Sequence, residues 1–162
     1  MKTAIIFNSK HGTAEKVANL IAERVGKEHS DVINLKNQTI IDLSNYNTII
    51  LGGSVYVGTI QKSIFKFCEA NQEELLNKKI ALFICGMEPD LEKQELEIKN
   101  SFPAFAYERA IVKKFMGGEI LLEKMNFFEK MAIKKVAKIS QSESNINYKA
   151  IDEFIEKLNY EK

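Results

Sequence analysis

The chain has 162 residues, 45% of them apolar and 28% charged, which suits one soluble globular domain with a sizeable core. Lys plus Arg (23) and Asp plus Glu (22) nearly cancel, so global charge does not point to a nucleic-acid partner. Cys68 and Cys85 are far apart and the two histidines lack ligand spacing, so no metal is expected. The N-terminal apolar run is too short for a signal peptide or a membrane span. The expectation is a cytoplasmic protein with reduced thiols.

Ala4-Ile5-Ile6-Phe7 reads as a strand buried on both faces. A polar turn follows, and Thr13 then opens a helical pattern with Ala14, Val17, Ala18, Ile21 and Val25 on one face. Strand, hydroxyl-and-glycine turn and helix suit an anion. Backbone N–H groups at such a helix start are unpaired, the dipole favours negative charge, and Ser9 and Thr13 add hydroxyls. The same residues also suit an ordinary connection in which Thr13 only caps the helix. Residues 32–35, 48–51 and 80–84 read as further strands. Helices are expected at about 61–71, 91–101 and 148–159, the second ending before Pro103. The last buries Ile151, Phe154, Ile155 and Leu158. A fifth strand is expected over 110–118. Strands alternating with helices argue for an α/β doubly wound parallel sheet in one domain over 1–162.

In such a sheet a ligand sits beyond the carboxyl ends of the strands, here the turns 8–13, 52–60 and 85–90. The middle turn, Gly52-Gly53-Ser54-Val55-Tyr56-Val57-Gly58-Thr59, allows close backbone approach to a flat ligand, with Tyr56 as a ring to stack on it. A mobile loop with one amphipathic tyrosine is the lesser alternative. Neither G-x-x-x-x-G-K-[ST] nor G-x-G-x-x-G follows the first strand, and no acidic cluster marks a phosphoacceptor.

S-K-H-G-T-A at 9–14 resembles the phosphate loop of flavodoxins. It is more similar still to the loop of the flavodoxin-like group that includes menaquinone-dependent protoporphyrinogen IX dehydrogenase, where Ser-Lys-x-Gly-[ST]-Thr is typical. G-G-S-V-Y-V-G at 52–58 resembles that group's first flavin-flanking loop. The resemblance spans essentially the whole chain, including a basic helical insertion at about 119–147. It implies a five-stranded flavodoxin-like sheet of order 2-1-3-4-5 and FMN as cofactor. Ser9, Lys10, His11, Gly12 and Thr13 would wrap the FMN phosphate. Ser54, Val55, Tyr56, Val57 and Gly58 would line one side of the flavin, with Cys85, Gly86 and Met87 on the other. Ala14 stands where a last loop hydroxyl is usual, and His11 replaces another hydroxyl. No tryptophan exists to stack on the ring. The resemblance implies an oxidoreductase that passes hydride or electrons through the flavin to a quinone or another acceptor, without a named protein acid or base. The alternative is a flavodoxin-type electron carrier serving a redox partner protein. Near-neutral charge favours the enzyme, since flavodoxins are typically strongly acidic.

The insertion has its own pattern. Residues 124–139 hold five lysines and one glutamate. Met125, Phe128, Ala132, Val136 and Ile139 form a stripe expected to pack on the body. Lys130, Lys134 and Lys138 would face outward with Phe127 and Met131. Apolar residues among lysines suit a docking partner or peripheral contact with the anionic inner face of the membrane. A solvated helix with two apolar residues against a neighbouring loop is the plainer reading.

Overall fold

The structure is a computed structural model and describes residues 2–137, 139 and 141–160, excepting the side chains at 136, 137 and 160. Alternation along β1 (Thr3–Asn8) gives the core two sides. Ala4 and Ile6 join one buried cluster, Ile5 and Phe7 the other. β2 (Ser30–Asn34), β3 (Thr48–Ser54), β4 (Lys79–Cys85) and β5 (Val112–Phe115) complete a parallel sheet of order β2-β1-β3-β4-β5. β1 therefore has β2 on one side and β3 on the other, which opens a crevice at the carboxyl ends where the winding reverses.

α1 (Thr13–Val25) and α7 (Tyr148–Tyr160) cover the face holding Ile5, Phe7, Ile50 and Phe83, contributing Val17, Ile21, Ile151 and Phe154. α2 (Lys62–Ala70), α4 (Leu91–Ser101) and α5 (Ala104–Arg109) cover the face holding Ile6, Leu51 and Leu82, with Ile64, Phe67, Ile98 and Ala106. α3 (Gln72–Leu75) is a single turn that buries Leu75. Fully burying one such Phe or Ile is worth about 1.5–3 kcal/mol, so the two clusters fix the frame on which the loops stand.

The expected fifth strand is two strands. The chain leaves the sheet after Phe115, turns at Gly117 (φ 69°), and continues as β6 (Gly117–Ile120). β6 pairs antiparallel with β7 (Glu143–Ile146), a strand whose polar, exposed sequence gives no buried alternation to read. Between them lies α6 (Phe127–Ala137), started by Asn126. The Glu129 N–H donates to Asn126 Oδ1 at 2.9 Å, and Asn126 Nδ2 donates to Glu129 Oε1 at 3.0 Å.

The expected inward stripe of this helix is wrong at its centre. Phe128 is 80% exposed and Ala132 is exposed, whereas Glu129 is buried and Ile133 half-buried. The helix is turned by about one residue, since i and i+4 share a face and 129/133 have replaced 128/132. The cause lies on the body, where Lys10 and His11 meet Glu129. Phe127, Met131 and Lys134 are exposed as expected, Lys130 is half-buried, and Lys138 and the Val136 side chain lie outside the described residues. Among the described residues, no helix is long and apolar enough to cross a membrane.

Candidate functional site

Three loops meet at the carboxyl ends of β1, β3 and β4. In the first, Ser9 Oγ accepts the Gly12 N–H at 2.9 Å, curling the turn back on itself. Gly12 (φ 94°) takes the cap position of α1, in a left-handed conformation that a side chain would strain. Thr13 is thus the first helical residue rather than the cap. The first backbone bond of the helix runs from the Lys16 N–H to the Gly12 carbonyl at 3.0 Å, which leaves the N–H groups of Thr13, Ala14 and Glu15 outside the ladder. Ala14 is fully buried beneath α1, which accounts for a small apolar residue there in place of a hydroxyl.

The second loop follows β3. Its glycines answer to packing more than to a ligand. A Cβ on Gly52 would lie 2.2 Å from the Phe83 ring, and one on Gly53 would lie 2.9 Å from Gln61 Oε1 and 3.0 Å from Ile60 Cβ. At the tip, the Tyr56 N–H donates to the Thr59 carbonyl at 2.8 Å, while Val57 (φ 53°) and Gly58 (φ 82°) make the tight reversal. A left-handed valine is strained, and the strain is carried beside Tyr56. The third loop is tied to the second by the Val55 N–H to the Cys85 carbonyl at 2.7 Å.

A cleft of about 220 Å³ joins these loops. Lys10, His11, Thr13, Ser54, Val55, Tyr56, Cys85, Gly86 and Met87 line it. Of the other anticipated residues, Ser9 is buried within the first turn, Gly12 shapes it, and Val57 and Gly58 stand out in solvent. Six lining residues carry no local motif: Gln61, Gly118, Glu119, Ile120, Met125 and Ile133. All but Gln61 come from β6 and the segment after it, which returns over the sheet ends, and only a fold-level argument about that return could have named them. A separate cavity of about 290 Å³, lined by Thr3, Val25, His29 and Leu158 among others, opens at the opposite end of the sheet, away from all three loops.

The cleft is polar at one end and apolar at the other. Lys10 Nζ lies 2.7 Å from Glu129 Oε1 and 4.6 Å from the centre of the Tyr56 ring, so one lysine links α6, the first loop and the second. His11 Nε2 lies 2.8 Å from Glu129 Oε2, close enough for a charge contact, though neither atom has a hydrogen-bond partner among the described residues. The Lys10 hydrogen bond, foremost, and the His11 charge hold Glu129 below the usual carboxylate range, and the same bond raises Lys10. Glu119 is engaged by Lys16 Nζ at 2.8 Å and by the Ser144 hydroxyl at 3.0 Å. Burial pushes the Cys85 thiol up, which makes it a packing group and not a nucleophile.

The polar end of the cleft fits a phosphomonoester, and its apolar end, with buried acceptors beside it, fits a flat ring that carries donors. Ser54 Oγ and Gln61 Oε1, both buried at the cleft, and Asn8 Oδ1 nearby have no partner among the described residues. Buried polar atoms are rarely left so, and each can be answered by a ligand.

The sheet order and the three loops define a flavodoxin-like α/β protein. The pattern of the flavodoxin domain family matches residues 4–147, and the chain belongs to that family. Flavodoxin 1 of Salmonella typhimurium is 33% identical over 90 residues, 54% of this chain and 51% of its own, so the chain spans about half the length of that relative. Uncharacterized protein MJ0298 of Methanocaldococcus jannaschii is 28% identical over 131 residues, 73% of this chain and 84% of its own. The flavodiiron protein from Giardia intestinalis, 10% identical, gives a TM-score of 0.51 over 98% of this chain and 37% of its own, a likeness of fold.

Proposed function

We propose that this chain binds FMN and is an oxidoreductase that delivers electrons to a quinone or another small acceptor, in the manner of the protoporphyrinogen dehydrogenase group. The observation that carries this reading is the single cleft that joins the cation-bearing loop at Lys10, His11 and Thr13 to an apolar end at Val55, Tyr56 and Met87. The turn Ser9–Thr13 would hold the phosphate through backbone N–H groups and hydroxyls. Ser54–Tyr56 and Cys85–Met87 would flank the ring. When bound, FMN supplies one- and two-electron redox chemistry. The chain binds and orients it, and Ile120, Met125 and Ile133 exclude water from the same cleft. The carboxylate nearest to hand, Glu119, is tied to Lys16 and Ser144, so no protein acid or base is assigned.

Residues 119–147, read as an insertion in one domain, favour an enzyme over a carrier. Ile120, Met125 and Ile133 line the cleft and suit a small apolar acceptor better than a protein docking on an open flavin edge. The exposed Phe127 and Met131, with Lys130, Lys134 and Lys138 on the same segment, would contact the inner face of the membrane, where a lipid quinone resides. The carrier remains the second reading, favoured by the relative named Flavodoxin 1. The test is anaerobic reduction of the FMN-loaded protein, followed by mixing with a lipid-embedded quinone, with protoporphyrinogen and with an electron-accepting protein. Rapid turnover with quinone supports the enzyme. Reoxidation by the protein acceptor alone makes the chain a carrier, and failure to take up FMN ends both.

A further inference from the structure

Glu129 is a buried carboxylate on a helix whose other described side chains give the body little. Phe127 and Phe128 are 69% and 80% exposed and Met131 is 54% exposed, so the large apolar residues of its first turns face water. Ile133 is half-buried and Met125, just before the helix, likewise. What seats the start of α6 is the ion contact: Glu129 Oε1 on Lys10 and Oε2 on His11. Both partners belong to the turn that starts α1, the proposed phosphate loop. Lys124 brings a second lysine to it, since its Nζ would lie 3.3 Å from a Cβ placed on Gly12.

We infer that Glu129 is an internal competitor of the cofactor phosphate: its carboxylate engages Lys10 and His11, and a phosphomonoester seated on residues 9–13 displaces it. The inference rests on the FMN reading above. A phosphomonoester brings about two negative charges at neutral pH. Added beside a carboxylate that shares the same partners, it meets repulsion from Glu129 and finds the Lys10 charge already neutralised. Space points the same way. The cleft measures about 220 Å³, below the ~300–1,000 Å³ of sites that enclose a small ligand, and Met125 and Ile133 form part of its wall. Moving the start of α6 outward would remove the carboxylate and widen the cleft in one step. Glu129 thereby sets how strongly the site prefers the phosphorylated flavin to the unphosphorylated one.

Glu129→Gln isolates the charge, because glutamine serves equally at the third position of the cap that Asn126 starts. Titrations of wild type and Glu129→Gln with FMN and with riboflavin, read by flavin fluorescence, should show FMN binding about tenfold tighter in the variant, the equivalent of one pKa unit of interaction. Riboflavin should change less than twofold. Hydrogen exchange across 126–135 should quicken in unliganded Glu129→Gln, and in wild type on adding FMN but not riboflavin. If the variant binds FMN equally or more weakly, Glu129 is a support of the site and the inference is overturned. If its exchange is unchanged, the carboxylate does not hold the helix, and the inference is overturned equally. If neither protein takes up either flavin, the cofactor reading has failed. The competition is then read with inorganic phosphate by phosphorus NMR, and no gain in the variant overturns it as well.

Discussion

Gly118 shows how little room separates the β6–β7 ribbon from the sheet that carries the site. A Cβ there would lie 2.8 Å from the Gly86 carbonyl oxygen and 3.0 Å from its carbonyl carbon and nitrogen. All three are backbone atoms, and the Gly86 N–H is already bonded to the Gly117 carbonyl at 2.9 Å, so nothing there can swing aside. Gly118→Ala should therefore cost about 1–3 kcal/mol, the usual penalty for overpacking, read as a lower midpoint in urea with an unchanged slope. Because Gly86 and Gly118 both line the cleft, the same variant should also weaken FMN binding. A variant as stable as wild type would mean that the ribbon can stand off from the sheet to make room for a methyl group. The sequence marks this glycine only as one of a pair. Its reason, a second backbone in contact, exists only once β6 has left the sheet.

At the scale of elements, α6 carries the outward face on which any membrane contact depends. Lysines near an anionic surface contribute about 1 kcal/mol each, and Phe127, Phe128 and Met131 would add apolar burial. Wild type should sediment with anionic but not neutral vesicles at low salt. It should detach as the Debye length falls to about 3 Å at 1 M. A Phe127→Ser, Met131→Ser, Lys134→Glu variant should stay in solution. Wild type that ignores anionic vesicles removes the membrane from the proposal and returns weight to the soluble carrier. The sequence predicts a helix here because lysines and apolar residues recur at helical spacing. Its orientation was illegible for a physical reason. Periodicity ranks faces by apolar content, and the winning term is an ion contact with Lys10 and His11, distant in the chain. The run at 110–118 misled similarly: its apolar content continues through Met116, but the turn at Gly117 takes the chain off the sheet. The Gly52-Gly53 pair was legible as close approach, though what approaches is Phe83, Ile60 and Gln61.

For the whole molecule the parallel sheet was the most legible feature, since runs buried on both faces between amphipathic helices admit few other arrangements. The loops at its carboxyl ends follow from that topology, and their joining into one cleft with the β6–α6 segment does not. This architecture places the two ends of the cleft on different elements, so a ligand filling it should tie α1, β3 and β4 together and stabilise the fold they form. A ligand that binds only the folded state adds about 2.7 kcal/mol at one hundred times its dissociation constant. For a chain of this length each kcal/mol raises the midpoint by about 2–4 °C, so saturating FMN should raise it by roughly 5–11 °C. Riboflavin at the same concentration lacks the phosphate for residues 9–13 and should raise it far less. In Glu129→Gln the FMN increment at a fixed, subsaturating concentration should exceed that of wild type, because the cations begin unoccupied. Thermal melts of both proteins with each flavin decide the matter: equal shifts from FMN and riboflavin would mean that the loop at Ser9–Thr13 binds no phosphate.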